Sequence, residues 1–154
     1  MAMGYGHVYV AQVAFGAKDA QTVKAFLEAE SYPGPSLIIA YSHCIAHGYD
    51  MAHGLDQQKL AVDAAVWPLY RFDPRRVAQG QPPLVLDSPP PKISAREYMS
   101  NEARFRMVEK LDPLRFRRLL GKAEKRAAQR YAIYQQLAGV TVPAAAEEAA
   151  VAVP

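Results

Sequence analysis

The side chains best suited to chemistry lie in one short stretch around the single cysteine of the chain. Cys44 follows His43 and precedes His47 and His53, so one thiol and three imidazoles fall within eleven residues. Thiolates and imidazoles are ligands that zinc prefers, but zinc motifs usually pair their ligands on both sides of a spacer. A zinc site at these four residues is therefore one alternative, and a structural cysteine with solvent-facing histidines is another.

The elements around this stretch form a predicted βαβ unit. Residues 6–15 are rich in valine and aromatic residues and predict a strand, and residues 36–41 form a short apolar run typical of a strand buried on both faces. Between them we expect a helix that Asp19 caps and that ends near Ser31, ahead of a Pro-Gly-Pro turn. Cys44 would then lie just past the carboxyl end of a buried parallel strand, where open sheets bind ligands.

The spacing of apolar residues predicts which face each helix buries. In the first helix the expected core residues are Val23, Phe26 and Leu27. Another helix is predicted from Asp112 to Leu137, with proline at its first position. Its expected buried stripe is Phe116, Leu120, Ala123, Ala127, Tyr131 and Tyr134.

The rest of the chain is predicted with less regular structure. We expect a helix over 56–66 capped by its aspartate, a strand over 67–72, and a helix from a capping box at 94–97 to about residue 110. Five prolines lie between residues 82 and 91 and frame the short run 84–86, so we expect 75–93 to be mostly an extended arm without regular structure. Residues 140–154 consist almost entirely of Ala, Val, Glu and Pro and predict a disordered tail.

Composition and charge exclude several classes of function. Residues 1–93 carry 7 basic and 8 acidic side chains, and residues 94–154 carry 11 and 7, a mild excess that suits a solvated helix face better than a nucleic-acid interface. Phosphate-binding glycine motifs and the GxSxG nucleophile motif are absent. The sequence contains no apolar run of the roughly 18 residues that span a bilayer and no secretory signal, and its one cysteine forms no internal disulfide. We therefore expect a cytoplasmic location.

Several blocks of sequence match a known pattern in order and spacing. They are YGHVYVAQVA at 5–14, GA at 16–17, QT at 21–22, EAESYPGPSLIIAY at 28–41, CI with a following glycine at 44–48, KLAV at 59–62, WPLYRFDP at 67–74 and LDS at 86–88. Over roughly residues 3–137 the chain resembles the C-terminal part of the thiamine-diphosphate-binding domain of pyruvate:ferredoxin (flavodoxin) oxidoreductases.

The resemblance implies an α/β fold that is the C-terminal half of a thiamine-diphosphate-binding parallel-sheet domain. It implies a partial domain with a cluster-ligand loop over 1–74, a Pro-rich arm over 75–93, C-terminal helices over 94–139 and the tail over 140–154. The enzymes of this family decarboxylate pyruvate on thiamine diphosphate with magnesium, form acetyl-CoA, and pass electrons through three [4Fe–4S] clusters to ferredoxin or flavodoxin. The full enzyme is expected to be a homodimer.

The resemblance also assigns a role to the cysteine. The cluster nearest the thiamine takes three cysteines from upstream sequence and a fourth from the loop that matches Cys44. The magnesium–diphosphate motif of the family, Gly-Asp-Gly followed by an asparagine, does not occur in these 154 residues. We therefore expect no thiamine ligand, magnesium ligand or catalytic residue in this chain, and one cluster ligand, Cys44.

Three hypotheses about the whole protein follow. The chain is a truncated piece of the oxidoreductase, or it is a true subunit that completes a split enzyme, or it is an independent interaction or zinc-binding module. A truncated piece should expose an apolar sheet edge and face, and should associate with itself. The resemblance favours the first two hypotheses, in both of which the chain is inactive alone.

Overall fold

A mixed four-stranded sheet forms the centre of the molecule. In the computed structural model, which describes residues 1–143, the strands are β1 (Tyr9–Val13), β2 (Ser36–Ala40), β3 (Tyr70–Phe72) and β4 (Leu84–Leu86), in the order β2-β1-β3-β4. Strands β1 and β2 run parallel, whereas β3 is antiparallel to both β1 and β4. The predicted α/β fold is confirmed, but the prediction of a parallel sheet is wrong for β3 and β4.

The predicted βαβ unit is present, with α1 (Asp19–Glu30) joining the two parallel strands. On the face of the sheet beneath α1, the side chains of Tyr9, Ala11 and Val13 pack around the fully buried Ala25. Because the side chain of Ala25 is small, α1 can pack closely on the sheet. The helix thus contacts the sheet through Ala25 and not through large apolar residues of its own.

The prediction of the buried face of α1 is wrong. Val23, Phe26 and Leu27 are 54%, 55% and 60% exposed, while Thr22 and Ala25 face the sheet. Successive side chains of a helix are about 100° apart around its axis. With Thr22 and Ala25 against the sheet, the side chains of Val23, Phe26 and Leu27 therefore point away from it. The outer surface of α1 therefore exposes three large apolar side chains to solvent.

The prediction that β2 is buried on both faces is also wrong for this chain. β2 occupies one edge of the sheet, with β1 as its single neighbour among the described strands. Leu37 is 43% exposed and none of the five residues of β2 is classed as buried. The apolar run has the composition of an interior strand but lies at an edge, so it lacks the second neighbour that would cover it.

Five helical segments complete the regular structure of residues 1–143. Besides α1 they are α2 (Gly54–Asp63), α3 (Ala95–Ser100), α4 (Ala103–Leu111) and α5 (Pro113–Leu137). Short 3₁₀ segments are Ala2–Tyr5, Ile45–His47, Met51–His53 and Pro74–Gln79. No helix in this part of the chain has the length and apolar character needed to cross a bilayer.

The predicted helix ends are confirmed in part. The capping box of Ser94 and Glu97 is formed, and α5 begins at Pro113 with the Asp112 carboxylate accepting from the Arg115 amide at 2.8 Å. The helix expected over 94–110 is broken into α3 and α4. Asp19 and Asp56 do not cap their helices but lie in the first turns, where a carboxylate still interacts favourably with the helix dipole.

The stripe predicted for α5 is largely confirmed, and α5 serves two cores. Phe116 and Leu120 pack with Ala61, Tyr98 and Met99 in a helical core formed with α2 and α3. Further along, Ala127 and Tyr131 are buried, whereas Ala123 and Tyr134 are half-buried. The Tyr134 ring stacks on Tyr70 of β3 at 4.6 Å between centroids, which joins the helix to the second face of the sheet.

The arm predicted over 75–93 contains a strand of the sheet, β4, that was not predicted as one. β4 pairs with β3 through Leu86 and Tyr70 at one end and Leu84 and Phe72 at the other. The prolines flank this strand without interrupting it, and β3 begins only after Pro68. The division of the chain at residues 74 and 93 stays a prediction. The predicted disordered tail lies, from residue 144 onward, outside the described residues.

Candidate functional site

The cysteine loop, defined as residues 42–50, leaves the carboxyl end of β2 and carries the only thiol of the chain. Cys44 has an extended backbone, with φ −139° and ψ 136°, and immediately precedes the 3₁₀ turn Ile45–His47. The side chain of Cys44 is exposed. As predicted, the thiol lies just beyond the carboxyl end of a strand that is parallel to its neighbour, and it is free to bind a group that approaches from outside the chain.

A contact with the start of α4 fixes the far end of the loop. Gly48 has a left-handed backbone (φ +72°), and a Cβ there would lie only 2.6 Å from the Cβ of Ala103. The carbonyl of Gly48 accepts a hydrogen bond from the Ala103 amide at 2.9 Å. Glycine is required here for two reasons, its conformation and the close approach of the helix. The shape of the cysteine loop is therefore set within this chain.

A buried carboxylate lies beneath the loop. Glu102 is fully buried and accepts a hydrogen bond from the side-chain amide of Gln57 at 3.0 Å, and it also pairs with Arg104. Gln57 donates to the Tyr98 carbonyl at 3.1 Å as well. The Nδ1 atom of His47 lies 3.9 Å from the Glu102 carboxylate, beyond hydrogen-bond distance. This cluster joins α2, α3 and α4 under the turn that follows Cys44.

The near end of the loop rests on α2. The side-chain amide of Gln58 lies 3.1 Å from Nδ1 of His43, and its carbonyl oxygen accepts from the Gly16 amide at 2.9 Å. Since Gln58 donates to His43, Nδ1 is the acceptor and the ring proton is on Nε2. The imidazole also packs on Gly54, where a Cβ would meet it at 2.9 Å. His43 is thus a structural contact between the cysteine loop and the first turn of α2.

Aromatic side chains hold the ends of β1 and β2 against the helical core. The Tyr41 and Tyr98 hydroxyls lie 3.1 Å apart, and the Tyr41 ring meets the edge of Trp67 at 5.4 Å between centroids. Trp67 donates its indole N–H to the Val13 carbonyl at 3.1 Å. Burial raises the pKa of the Tyr41 and Tyr98 hydroxyls above their ordinary values, so both remain neutral hydrogen-bonding groups at physiological pH.

The structure does not bring the predicted zinc ligands together. His43 contacts Gln58, His47 points toward Glu102, and His53 lies 3.1 Å from Asp56, so the three imidazoles have different partners. Within residues 1–143 no group of three His, Cys, Asp or Glu side chains is placed to hold a metal ion. The alternative of a zinc site at Cys44 and the three histidines therefore has no support in this arrangement.

Sequence reasoning missed the polar support of the loop. Glu102 and Gln57 are 45 residues apart, and no motif in the sequence connects them. A glutamate within a predicted helix is usually solvent-exposed. The sequence signal was the pair of adjacent glutamines at 57 and 58 in a predicted helix that also carries Asp56, Lys59 and Asp63, and such a pair does not indicate a buried contact.

Comparison with known proteins identifies close relatives. No family model matches the chain. The chain is 57% identical over 140 residues to the pyruvate-flavodoxin oxidoreductase of Rhodospirillum rubrum and 54% identical over 138 residues to that of Trichormus variabilis. It is 46% identical over 138 residues to the pyruvate:ferredoxin oxidoreductase of Moorella thermoacetica. These matches cover 91%, 90% and 90% of the chain but only 12% of each relative.

The relatives carry the names of the family that the sequence blocks resemble, and the similarity extends over most of the chain. The chain itself spans about an eighth of their length, at 12%. Nine tenths of this chain is thus similar to one segment of the pyruvate-flavodoxin and pyruvate:ferredoxin oxidoreductases.

Proposed function

We propose that this chain supplies the segment of a pyruvate oxidoreductase that carries one thiolate ligand, Cys44, of an iron–sulfur cluster. In this proposal the chain has no activity alone and acts with the rest of such an enzyme, whether covalently joined or as a partner subunit. The complete enzyme oxidatively decarboxylates pyruvate to acetyl-CoA and delivers electrons to ferredoxin or flavodoxin. The observation that carries the proposal is the exposed thiol of Cys44 on a loop that this chain itself holds in place.

The donor set fits a shared cluster. A [4Fe–4S] cluster is held by four thiolates, and the chain has one cysteine, so the other three must come from elsewhere. Cys44 is exposed, as a ligand to a group bound mainly by another part of the protein must be. When bound, the cluster carries electrons singly from the thiamine toward the acceptor protein. Thiamine diphosphate and magnesium would be bound by residues outside this segment.

The surroundings of the thiol also suit an interface. Ile45, next to Cys44, is 79% exposed, although it is a large apolar side chain. Such a residue beside a ligand thiol is expected to be covered when the rest of the enzyme is present. A covered loop would exclude water from the cluster, and its backbone amides could hydrogen-bond to cluster sulfur, which tunes the reduction potential.

A chimeric enzyme tests the role of Cys44. The matching segment of the Rhodospirillum rubrum oxidoreductase would be replaced by this chain, which is 57% identical to it. We expect the chimera to reduce flavodoxin with pyruvate, and Cys44→Ser to lose about one cluster's content of iron and most of this activity, because serine does not replace the thiolate. Iron analysis, electron paramagnetic resonance of the reduced enzyme and flavodoxin reduction are the measurements.

Ser42→Ala is the matched control, since Ser42 is exposed on the same loop and, among residues 1–143, its hydroxyl hydrogen-bonds to the His43 carbonyl alone, at 3.4 Å. This variant should keep full iron content and activity. A Cys44→Ser chimera with unchanged iron content and unchanged spectra would refute the proposed ligand role.

A further inference from the structure

The hydrogen bonds between β1 and β2 show which backbone groups of β2 remain unpaired. At one end the Tyr9 amide donates to the Pro35 carbonyl, and at the other the Tyr41 amide donates to the Val13 carbonyl, both at 3.0 Å. Residues 35 and 41 therefore face β1. Successive residues of a strand direct their N–H and C=O groups to opposite sides, so residues 37 and 39 face β1 as well.

The intervening residues of β2 form an open row of hydrogen-bonding groups. Ser36, Ile38 and Ala40 direct their N–H and C=O groups away from β1, and no described strand pairs with them. Exposed edges in stable monomers are usually protected by charged residues, prolines or bulges. β2 has the sequence SLIIA, without a charge or a proline. Its edge is therefore suited to pairing with another strand.

An apolar flank of α1 lies on the same side as this open edge. On the helix, Glu28 turns toward Arg71 of β3, on the side away from β2. Around the helix axis, Phe26 and Glu28 lie on opposite sides of the sheet-facing Ala25. Phe26, about 100° from Ala25, therefore lies on the flank of α1 above β2. Phe26 is 55% exposed, and Leu37 of β2 is exposed on the other face of the sheet. Apolar surface is thus available above and below the open edge.

The similarity to much longer proteins indicates what covers this surface. The chain matches 12% of the length of its relatives, so most of such an enzyme lies outside it. The composition of β2 is that of a strand with neighbours on both sides. The cysteine loop continues directly from β2, so a strand added at this edge would end beside Cys44 or begin there.

We infer that the open edge of β2, with the exposed Phe26 above it and Leu37 below it, is the surface on which the rest of a pyruvate oxidoreductase adds an apolar β-strand. The added strand pairs with the outward groups of Ser36, Ile38 and Ala40 and covers the flank of α1. This inference rests on the proposed function, because the occupant is the remainder of that enzyme.

Amide hydrogen exchange tests the inference directly. Peptides spanning residues 36–40 would be compared between the isolated chain, at a concentration at which it is monomeric, and the chimeric Rhodospirillum rubrum enzyme. We expect the amides of Ser36, Ile38 and Ala40 to exchange fast in the isolated chain and at least about a hundredfold more slowly in the chimera. The amides of Leu37 and Ile39, which are bonded to β1 in both, are the internal control. Equal and fast exchange of the outward amides in the chimera would overturn the inference.

Two matched variants add an independent test. Phe26→Glu should lower the thermal midpoint of the chimera while leaving that of the isolated chain unchanged, since Phe26 is exposed there. Ile133→Glu, on α5 with nearly the same exposure of 56%, should affect the chimera much less. Equal effects of the two variants on the chimera would contradict the inferred surface.

The readouts separate this inference from the proposed function. If the Cys44→Ser chimera keeps full iron content while the outward amides of β2 are protected, the ligand role fails and the interface stands. If Cys44→Ser loses iron while those amides exchange fast, the ligand role stands and the interface fails.

Discussion

At Gly48 two distant parts of the chain come so close that a side chain cannot fit between them. The residue adopts a left-handed backbone, and its carbonyl receives the first amide of α4. Gly80 provides a comparison, because it has a similar backbone (φ +67°) with open space where its Cβ would be. A substitution at Gly80 therefore tests the left-handed backbone alone, whereas one at Gly48 tests the left-handed backbone together with the close approach of Ala103.

We predict that Gly48→Ala destabilises the chain by about 2–4 kcal/mol and Gly80→Ala by only about 1–2 kcal/mol. Both variants place alanine in a left-handed conformation, but only the first forces a Cβ against Ala103. Urea unfolding followed by circular dichroism measures both free energies. Adding Ala103→Gly to Gly48→Ala should recover part of the loss, and equal losses at the two glycines would show that the contact with α4 does not hold the loop.

The sequence predicted that Cys44 lies just after a strand, but it did not predict the residues that hold the cysteine loop in place. The position after a strand follows from local patterns, namely an apolar run and the residues that end it. The buried partner of Glu102, Gln57, lies in α2, and contacts between residues so far apart leave no periodic signal in one sequence. The separation of His43, His47 and His53 is likewise a consequence of packing and could not be predicted from their spacing.

Among the elements, α1, β3 and the end of β4 are joined by one guanidinium. Arg71 of β3 donates from Nε and Nη2 to the carboxylate of Asp87, at 2.8 and 3.0 Å, and also pairs with Glu28 of α1. Its side chain is 10% exposed. The hydrogen bonds with Asp87 hold the pKa of Arg71 above its ordinary value, so the charge is permanent.

We predict that Arg71→Met lowers the free energy of unfolding by about 3–5 kcal/mol, because it leaves two largely buried carboxylates without their partner. The control is Lys59→Met, which removes the ion pair with Asp63 on α2, in which the lysine side chain is 57% exposed, and which should cost less than about 1 kcal/mol. Chemical unfolding at neutral pH gives both values. A loss at Arg71 as small as that at Lys59 would mean that packing alone, and not this charge cluster, holds α1 on the sheet.

Most helices and strands could be predicted from the sequence, whereas the side of an element that is buried could not always be predicted. The long helix α5 was predicted with its bounds, because Asp112-Pro113 and a regular stripe mark it from end to end. The outward face of α1 was not, since three large apolar residues on one side ordinarily indicate a core. The strand β4 was hidden between prolines, which lowered its apparent strand propensity although they lie outside the paired residues.

At the scale of the whole molecule, the two edges of the sheet differ in how far they are covered by other elements. α5 packs on β3 and β4, whereas β2 presents unpaired backbone and apolar side chains. This asymmetry explains why the sequence of β2 predicted a doubly covered strand. An apolar run of this kind is typical of a strand with two neighbours, and the described residues supply one, β1.

We predict that the isolated chain self-associates reversibly through β2 as its concentration rises, as unprotected edges do. Ala40→Pro should weaken this association, because it removes an outward N–H while the inward bond of Tyr41 to Val13 is kept. Sedimentation velocity over a range of concentrations measures the effect. Concentration-independent sedimentation of the unmodified chain as a monomer would contradict the prediction.

The contact between Gly48 and Ala103 also bears on how the length of the chain can vary. An insertion or deletion of one residue at the junction of α3 and α4 would shift the start of α4 relative to the loop, so that the Ala103 amide would no longer be placed to donate to the Gly48 carbonyl. The direction of the Cys44 thiol would change although the loop itself had not been altered. Changes of length are expected to be tolerated instead at surface turns such as that of Gly80, where open space surrounds the backbone.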